Sequence, residues 1–295
     1  MAVQQRVRSR PPALYEGFDY QAFWQGPSRR HLDVLEHRVV AELLPAHGRR
    51  VVEVGCGYGR LTDAYVDRFD AVVVVDAAWS LLERARDRWA ARGVTLVAAD
   101  LHMLPFRPGS FDAAVMVRVL HHLEDPGSGL RAVQEVLAGG GRLVANTSNK
   151  RNAARILRHA ILGRGPDPFA PGLVRYGKRS FGWHPADFRE VLEGSGFHPD
   201  RWRGVGVLDK VAGALGPFAP VVPTGTGLAR ALEVVRLAPS LFCSATKLGV
   251  EVPLPADPFA CPTCGRPTVA DRSQRTCAPC GRAYRRRDGI WDFRV

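Results

Sequence analysis

The chain has 295 residues, 46% hydrophobic and 24% charged, with a formal net charge of +12. That balance is ordinary for a globular protein and excludes a disordered chain, a collagen-like chain and a coiled coil. No stretch approaches the roughly 18 uninterrupted apolar residues of a membrane span, and no apolar run follows the charges of MAVQQRVRSRPP, so a soluble cytoplasmic protein is expected. Residues 1–27 are polar and aromatic with little periodicity. From Ser28, a plausible N-cap, Leu32, Leu35, Val39 and Leu43 recur at helical spacing. Strand and helix then alternate. Strands are predicted at Val51–Val54, Ala71–Val75, Thr95–Ala99, Phe111–Val117 and Gly141–Thr147. Helices are predicted at Leu61–Arg68, Ser80–Ala91 and Leu130–Leu137. This alternation argues for an α/β fold with a doubly wound, Rossmann-like sheet, whose strand C-termini share one ligand-binding edge. Beyond Thr147 come a basic helix at Asn152–Leu162, a Pro/Gly-rich loop at Gly163–Gly182 and a helix at Pro185–Leu192. An apolar cap over 204–239 and a last strand at Ser240–Lys247 follow, before a linker, PLPADPFA.

Charge is unevenly spread. Residues 142–179 hold nine cations and one acid, and residues 261–295 hold eight arginines and three acids. Such stretches attract polyanions or acidic membrane surfaces, although a merely solvated surface explains them as well.

The sequence VVEVGCGYG places Gly55, Gly57 and Gly59 directly after the first strand. Glycine serves where backbone must turn tightly and approach a ligand. Asp76 ends the next strand, where a carboxylate can accept hydrogen bonds from ribose hydroxyls. A dinucleotide fingerprint would need a third glycine at position 60, which is Arg60. Four pieces in order, VVEVGCGYG, VVVVDAAWSLLERAR, AADLHMLPFRPGSFDAAV and VLHHLEDP, resemble the class I S-adenosylmethionine (SAM)-dependent methyltransferases, in the type 11-like group with an LPF…FD…LHHL pattern. The resemblance covers roughly residues 49–150. It implies that Gly55, Cys56 and Gly57 lie against the methionine portion of SAM, with Glu53 near its amino group and Gly59 completing the loop. It further implies that Asp76 holds the ribose, Ala77 and Trp79 flank the adenine, and Asp100 and Leu101 face the adenine edge. Val117 and Arg118 would line the floor. Arg118 departs from the small or polar residue usual there; it would meet the cofactor carboxylate or an anionic substrate, or point outward. Cys56 also reads as a small buried residue, Trp79 as packing and Asp112 as a turn support.

Methyl transfer from a sulfonium is an in-line displacement in which alignment carries much of the work. His121 and His122 follow the fourth strand, where an imidazole could take a proton from an attacking hydroxyl or amine. Structural packing explains each singly as well. His184 is a weaker candidate. Neither [DN]PP[YF] nor a cysteine follows the fourth strand, which argues against adenine-N6, glutamine or covalent cytosine methylation.

Cys261, Cys264, Cys277 and Cys280 form two CxxC pairs with 12 residues between them. Two such knuckles can set four thiolates at tetrahedral corners around a structural Zn²⁺, with iron the rival metal. Gly265 and Gly281 permit the knuckle turns. The tail CGRAYRRRDGIWDF is similar to zinc ribbons of proteins that activate tRNA and protein methyltransferases, departing at Arg285 and Trp291. A related ribbon, N-terminal instead, occurs in a ribosomal RNA guanine methyltransferase. The ribbon would either cap an edge of the main domain or present Arg282, Arg285, Arg286 and Arg287 to phosphates. Tyr284 would pack in its core or stack on a base.

The expected organisation is an extension and helix over 1–48, a methyltransferase domain over 49–250 with cap or substrate insertions at about 150–240, and a linker with the ribbon over 251–295. The expected activity is methyl transfer from SAM to a small-molecule or lipid-like acceptor, with peripheral membrane contact allowed. RNA methylation through the basic ribbon and a non-catalytic SAM-binding regulator are the alternatives.

Overall fold

The computed structural model describes residues 15–17, 19–163, 165–176, 180–206 and 236–294, so most of the expected cap falls outside the described residues. The five expected strands are present as β1 (Gly48–Val54), β2 (Phe69–Asp76), β3 (Thr95–Ala98), β4 (Phe111–Met116) and β5 (Leu137–Asn149). They form a parallel run in the order β3-β2-β1-β4-β5. The order reverses between β1 and β4, which opens a ligand crevice at their C-terminal ends. Buried Val51, Val52 and Val54 of β1, and Val72 to Val75 of β2, give the two-sided apolar strands that helices on both faces require.

Helix α1 spans Tyr20–Phe23 and α2 Pro27–Leu43. The N-cap of α2 is Gly26, with Pro27 in the first turn, so the helix starts before Ser28 and the expectation of Ser28 as cap is corrected. The expected helix at Leu61–Arg68 is only a 3-10 turn, Thr62–Ala64. Its side chains are committed inward: Thr62 and Tyr65 both donate to the buried Glu53 carboxylate. Helix α3 runs Trp79–Trp89, α4 Pro126–Val136, α5 Ala153–Leu162 and α6 Pro185–Gly194.

The expected loop at 163–182 contains two short strands, β6 (Val174–Tyr176) and β7 (Ser180–Trp183), which pair antiparallel. Strand β8 (Phe197–Val205), absent from the sequence reading, pairs with β9 (Ser240–Lys247), and β9 runs antiparallel along β5. Strand β5 begins four residues earlier than expected, because its glycines are tolerated by close packing: a Cβ on Gly139 would lie 2.0 Å from the Val250 carbonyl oxygen.

The C-terminal module contributes β10 (Val269–Ala270), β11 (Gln274–Thr276), β12 (Ala283–Arg287) and β13 (Ile290–Asp292). Strand β13 pairs in parallel with β3, aligning Ile290 with Leu96 and Asp292 with Ala98. The edge of the main sheet is thereby covered by the module. Phe259, Tyr284, Trp291 and Phe293 are buried in the same core as Val97 and Phe106.

Candidate active site

Every left-handed turn at the C-terminal end of β1 falls on glycine. Gly55, Gly57 and Gly59 have φ of +74°, +57° and +70°. At Gly55 space matters too, since a Cβ would meet Val119 Cγ2 at 2.3 Å. Asp76, at the end of β2, locks this loop. Its Oδ2 accepts from the Gly57 N–H at 2.8 Å, and its Oδ1 accepts from the Ala78 N–H at 2.9 Å. Burial pushes the Asp76 carboxyl upward, against those two amides. Each oxygen retains acceptor capacity beyond that one bond.

A small cavity of ≈ 50 Å³ lies here, lined by Glu53, Gly55, Cys56, Gly57, Asp76, Val117 and Arg118 among others. Five further lining residues were not read from the sequence: Tyr15, Tyr20, Arg60, Leu61 and Leu81. Tyr15 and Tyr20 come from the aromatic segment before α2, whose lack of periodicity concealed it; their rings lie 5.1 Å apart. Glu16 joins them to the fold by accepting from the Trp79 and Ser80 N–H groups at the start of α3, at 2.8 and 3.1 Å. That is a helix N-cap supplied from outside the helix. The cavity is far below the roughly 300 Å³ of a typical ligand pocket, so a nucleoside cofactor requires this segment to give way.

Other sequence candidates occupy distinct places. Glu53 is buried, and Thr62 and Tyr65 hold one of its oxygens, while burial pushes its carboxyl upward. Gly59 serves packing: Trp89 Nε1 donates to its carbonyl at 2.9 Å, and a Cβ would strike that indole at 2.4 Å. Burial drives the Cys56 thiol well up, which suits a small buried side chain. Trp79 opens α3, with the Arg294 guanidinium 4.9 Å from its ring, and Ala77 precedes that helix. Asp100 caps the next 3-10 turn through the His102 N–H at 2.8 Å, with Leu101 the first residue of that turn. Asp112 accepts from the Arg49 and Arg50 N–H groups, fixing the start of β1 against β4.

Arg118 has φ +60°, a strained backbone for a residue other than glycine. It does not point outward. Its guanidinium pairs with Glu36, a fully buried residue of α2, and lies 4.7 Å from the Trp24 ring. Arg60 pairs with the same carboxylate and with Asp33, stacking 3.8 Å from the same ring. Position 60 therefore anchors α2, where a dinucleotide loop would need glycine. Arg118 and Arg60 win over burial and hold the Glu36 carboxyl below its usual value.

His121 and His122 lie on the 3-10 turn Leu120–His122, their rings 3.9 Å apart. Burial, His122 and Arg118 together push His121 well below the ordinary histidine value. Its buried Nδ1 has no hydrogen-bond partner. His122 Nε2 lies 2.8 Å from the Tyr15 hydroxyl, and burial raises the Tyr15 phenol to about 12. Tyr15 thus connects the cavity to the histidine pair. His184 is the N-cap of α6, its ring accepting from the Ala186 N–H, and it does not line the cavity.

The four cysteine sulfurs lie within 4.8 Å of one another. The two knuckles match: the Gly265 N–H donates to the Cys261 carbonyl, and the Gly281 N–H to the Cys277 carbonyl, each at 2.8 Å. Burial opposes ionisation of Cys261, yet the Tyr284 hydroxyl at 3.0 Å and the Cys264 and Thr263 N–H groups bring its thiol to about 6. A donor set of four converging sulfurs, one favoured as thiolate, fits a tetrahedral metal such as Zn²⁺. Tyr284 is buried against Phe293, their ring centroids 4.6 Å apart, so it packs in the core.

Residues 52–145 match the methyltransferase domain family model. Two curated relatives are each similar over part of the chain. A ubiquinone biosynthesis O-methyltransferase of Xylella fastidiosa is 32% identical over 127 residues, covering 42% of this chain and 51% of the relative. The O-methyltransferase cnsE of Penicillium expansum is 31% identical over 170 residues, covering 54% of this chain and 57% of the relative. The chain thus spans about half the length of the curated relatives it matches. The solved structure of an S-adenosylmethionine-dependent methyltransferase from Mesorhizobium loti superposes with a TM-score of 0.52 at 24% identity, covering 73% of this chain and 98% of that one. The fold is the mixed α/β, Rossmann-like fold of the SAM-dependent methyltransferases. Among the described residues, no helix is long and apolar enough to cross a membrane.

Proposed function

We propose that this chain transfers a methyl group from SAM to the hydroxyl of a small or lipid-like acceptor. The observation that carries the reading is the glycine loop locked by Asp76 at the reversal of strand order. The relatives' O-methyltransferase names favour an oxygen acceptor. In this reading Gly55, Cys56 and Gly57 receive the methionine portion, Asp76 accepts from the ribose hydroxyls, and Ala77, Trp79, Asp100 and Leu101 border the adenine. Glu53, Val117 and Arg118 complete the floor. Bound SAM supplies an electrophilic methyl on sulfur. His122 takes the proton released as the acceptor oxygen attacks; its Nε2, 2.8 Å from the Tyr15 hydroxyl, is freed for this when the Tyr15 segment gives way to the cofactor. His121 packs against it, its ring held well below the ordinary histidine value by burial.

The same proposal divides the chain at about residues 48 and 250 and assigns Cys261, Cys264, Cys277 and Cys280 one structural Zn²⁺. With four sulfurs as ligands, no coordination position is left for catalysis. The module lies along β3, with β2, β1 and β4 between it and β5. That placement supports an edge cap over RNA recognition.

The test is transfer of label from methyl-labelled SAM into fractionated cell material. Label in the lipid or small-molecule fraction is expected. Label in RNA would overturn the acceptor class. Absence of label, with calorimetric binding of the demethylated product intact, would point to the non-catalytic alternative.

A further inference from the structure

Helix α5 is amphipathic in the wrong direction for a helix packed on a core. None of its residues is buried. Leu157 and Ile161, four residues apart and hence on one face, are 61% and 70% exposed, and Leu162 is 56% exposed. Arg155, Ile156 and His159 are the residues turned partly inward. The Arg155 guanidinium stacks 3.8 Å from the Tyr176 ring, and His159 Nδ1 is buried without a partner. A solvated helix shows the opposite arrangement, with its apolar stripe against the protein. Phe169 and Leu173, in the segment that follows, are also exposed, at 54% and 42%.

The charge around this apolar face is mostly positive, with Asp167 the one acid among the nine cations of residues 142–179. Helix α5 has no acidic residue, and Arg151, Arg155 and Arg158 form no ion pair among the described residues. An apolar face flanked by arginines fits the boundary of a bilayer with anionic headgroups, where apolar side chains enter the acyl region and cations meet phosphates. A nucleic acid would match the arginines and leave Leu157, Ile161 and Leu162 facing water.

The position is also telling. Helix α5 leaves the C-terminal end of β5, on the same edge of the sheet as the glycine loop. Arg175 of β6, just beyond it, lies 3.8 Å from Glu124, two residues after His122. We infer that α5 docks the acceptor edge of this protein onto an anionic lipid surface, so that an amphiphilic acceptor is taken from the bilayer. The choice of acceptor rests on the function proposed above. The docking does not, because it is measured without methyl transfer.

The full chain is sedimented with vesicles of phosphatidylcholine and phosphatidylglycerol in equal parts, and with phosphatidylcholine alone. Binding to the anionic vesicles is expected, with little to the neutral ones. The double variant L157E/I161E is expected to lose about tenfold or more of that binding. Its melting temperature and calorimetric binding of the demethylated product stay unchanged. L248E removes a comparably exposed leucine elsewhere and keeps wild-type binding. The inference falls if the wild-type chain ignores anionic vesicles, or if L157E/I161E sediments as the wild type does. It also falls if an RNA oligonucleotide displaces the vesicles and binds both proteins equally, which would make the face a nucleic-acid surface.

Discussion

Replacing Glu36 by Gln tests whether the cavity floor depends on one buried carboxylate. Glu36 is fully buried and pairs with both Arg60 and Arg118, whose side chains are 7% and 20% exposed. The amide has the volume of the carboxylate but no charge, and its NH2 group faces a guanidinium donor. Arg60 keeps Asp33, while Arg118 is left with no carboxylate among the described residues. Breaking a buried pair by removing one partner costs about 3–5 kcal/mol, and partial solvation of Arg118 places this case near the lower end. A loss of that size lowers the melting temperature by roughly 5–15 °C in a chain of this length. The pH dependence has a definite sign. Arg118 and Arg60 hold the folded carboxyl below its ordinary value of 4.5, so its contribution is complete above that value and is lost as pH falls through the folded pKa. Thermal melts of both proteins between pH 3.5 and 8 should show a constant gap down to about pH 4.5 and a narrowing gap below. A loss under about 1 kcal/mol at pH 7, or a gap that widens on acidification, would refute the reasoning.

Four further outcomes are expected. Asp76→Asn turns one acceptor into a donor beside the Gly57 or Ala78 amide and should weaken calorimetric binding of the demethylated product by about 10–100-fold, the equivalent of one charged hydrogen bond. Gly55→Ala places a Cβ 2.3 Å from Val119 Cγ2 at positive φ, and should destabilise the fold by about 1–3 kcal/mol in urea melts. His122→Ala should lower kcat by about 10²–10⁴-fold, whereas His121→Gln should change it far less, because burial, His122 and Arg118 hold His121 well below the ordinary histidine value and leave it a packing role. Metal analysis should find one zinc per chain in the wild type and none in C264S/C280S, with chelation lowering the melting temperature by detaching the β13 cover from β3.

The parallel strands, the glycine loop and the cysteine knuckles were legible in the sequence because each is a local signal. Val72 to Val75 can only be a strand buried on both faces, and glycine at 55 and 57 meets a need that arises within a few bonds. Strand β8 escaped because FHPDRWRGV has no clean alternation; it is an outer strand that gains order from β9, more than thirty residues away. The stretch Leu61–Arg68 reads as a helix by periodicity, but Thr62 and Tyr65 are drawn onto Glu53, and that contact outweighs helical propensity. The closure of the cavity by Tyr15 and Tyr20, the sharing of Glu36 by Arg60 and Arg118, and the pairing of β13 with β3 were decided by the tertiary structure alone. Each joins residues far apart in the chain, and sequence spacing holds no record of which distant groups will meet. The sequence by itself determined which chemistry the loop and the knuckles can support; the fold decided which side chains enclose them and which edge of the sheet each one occupies.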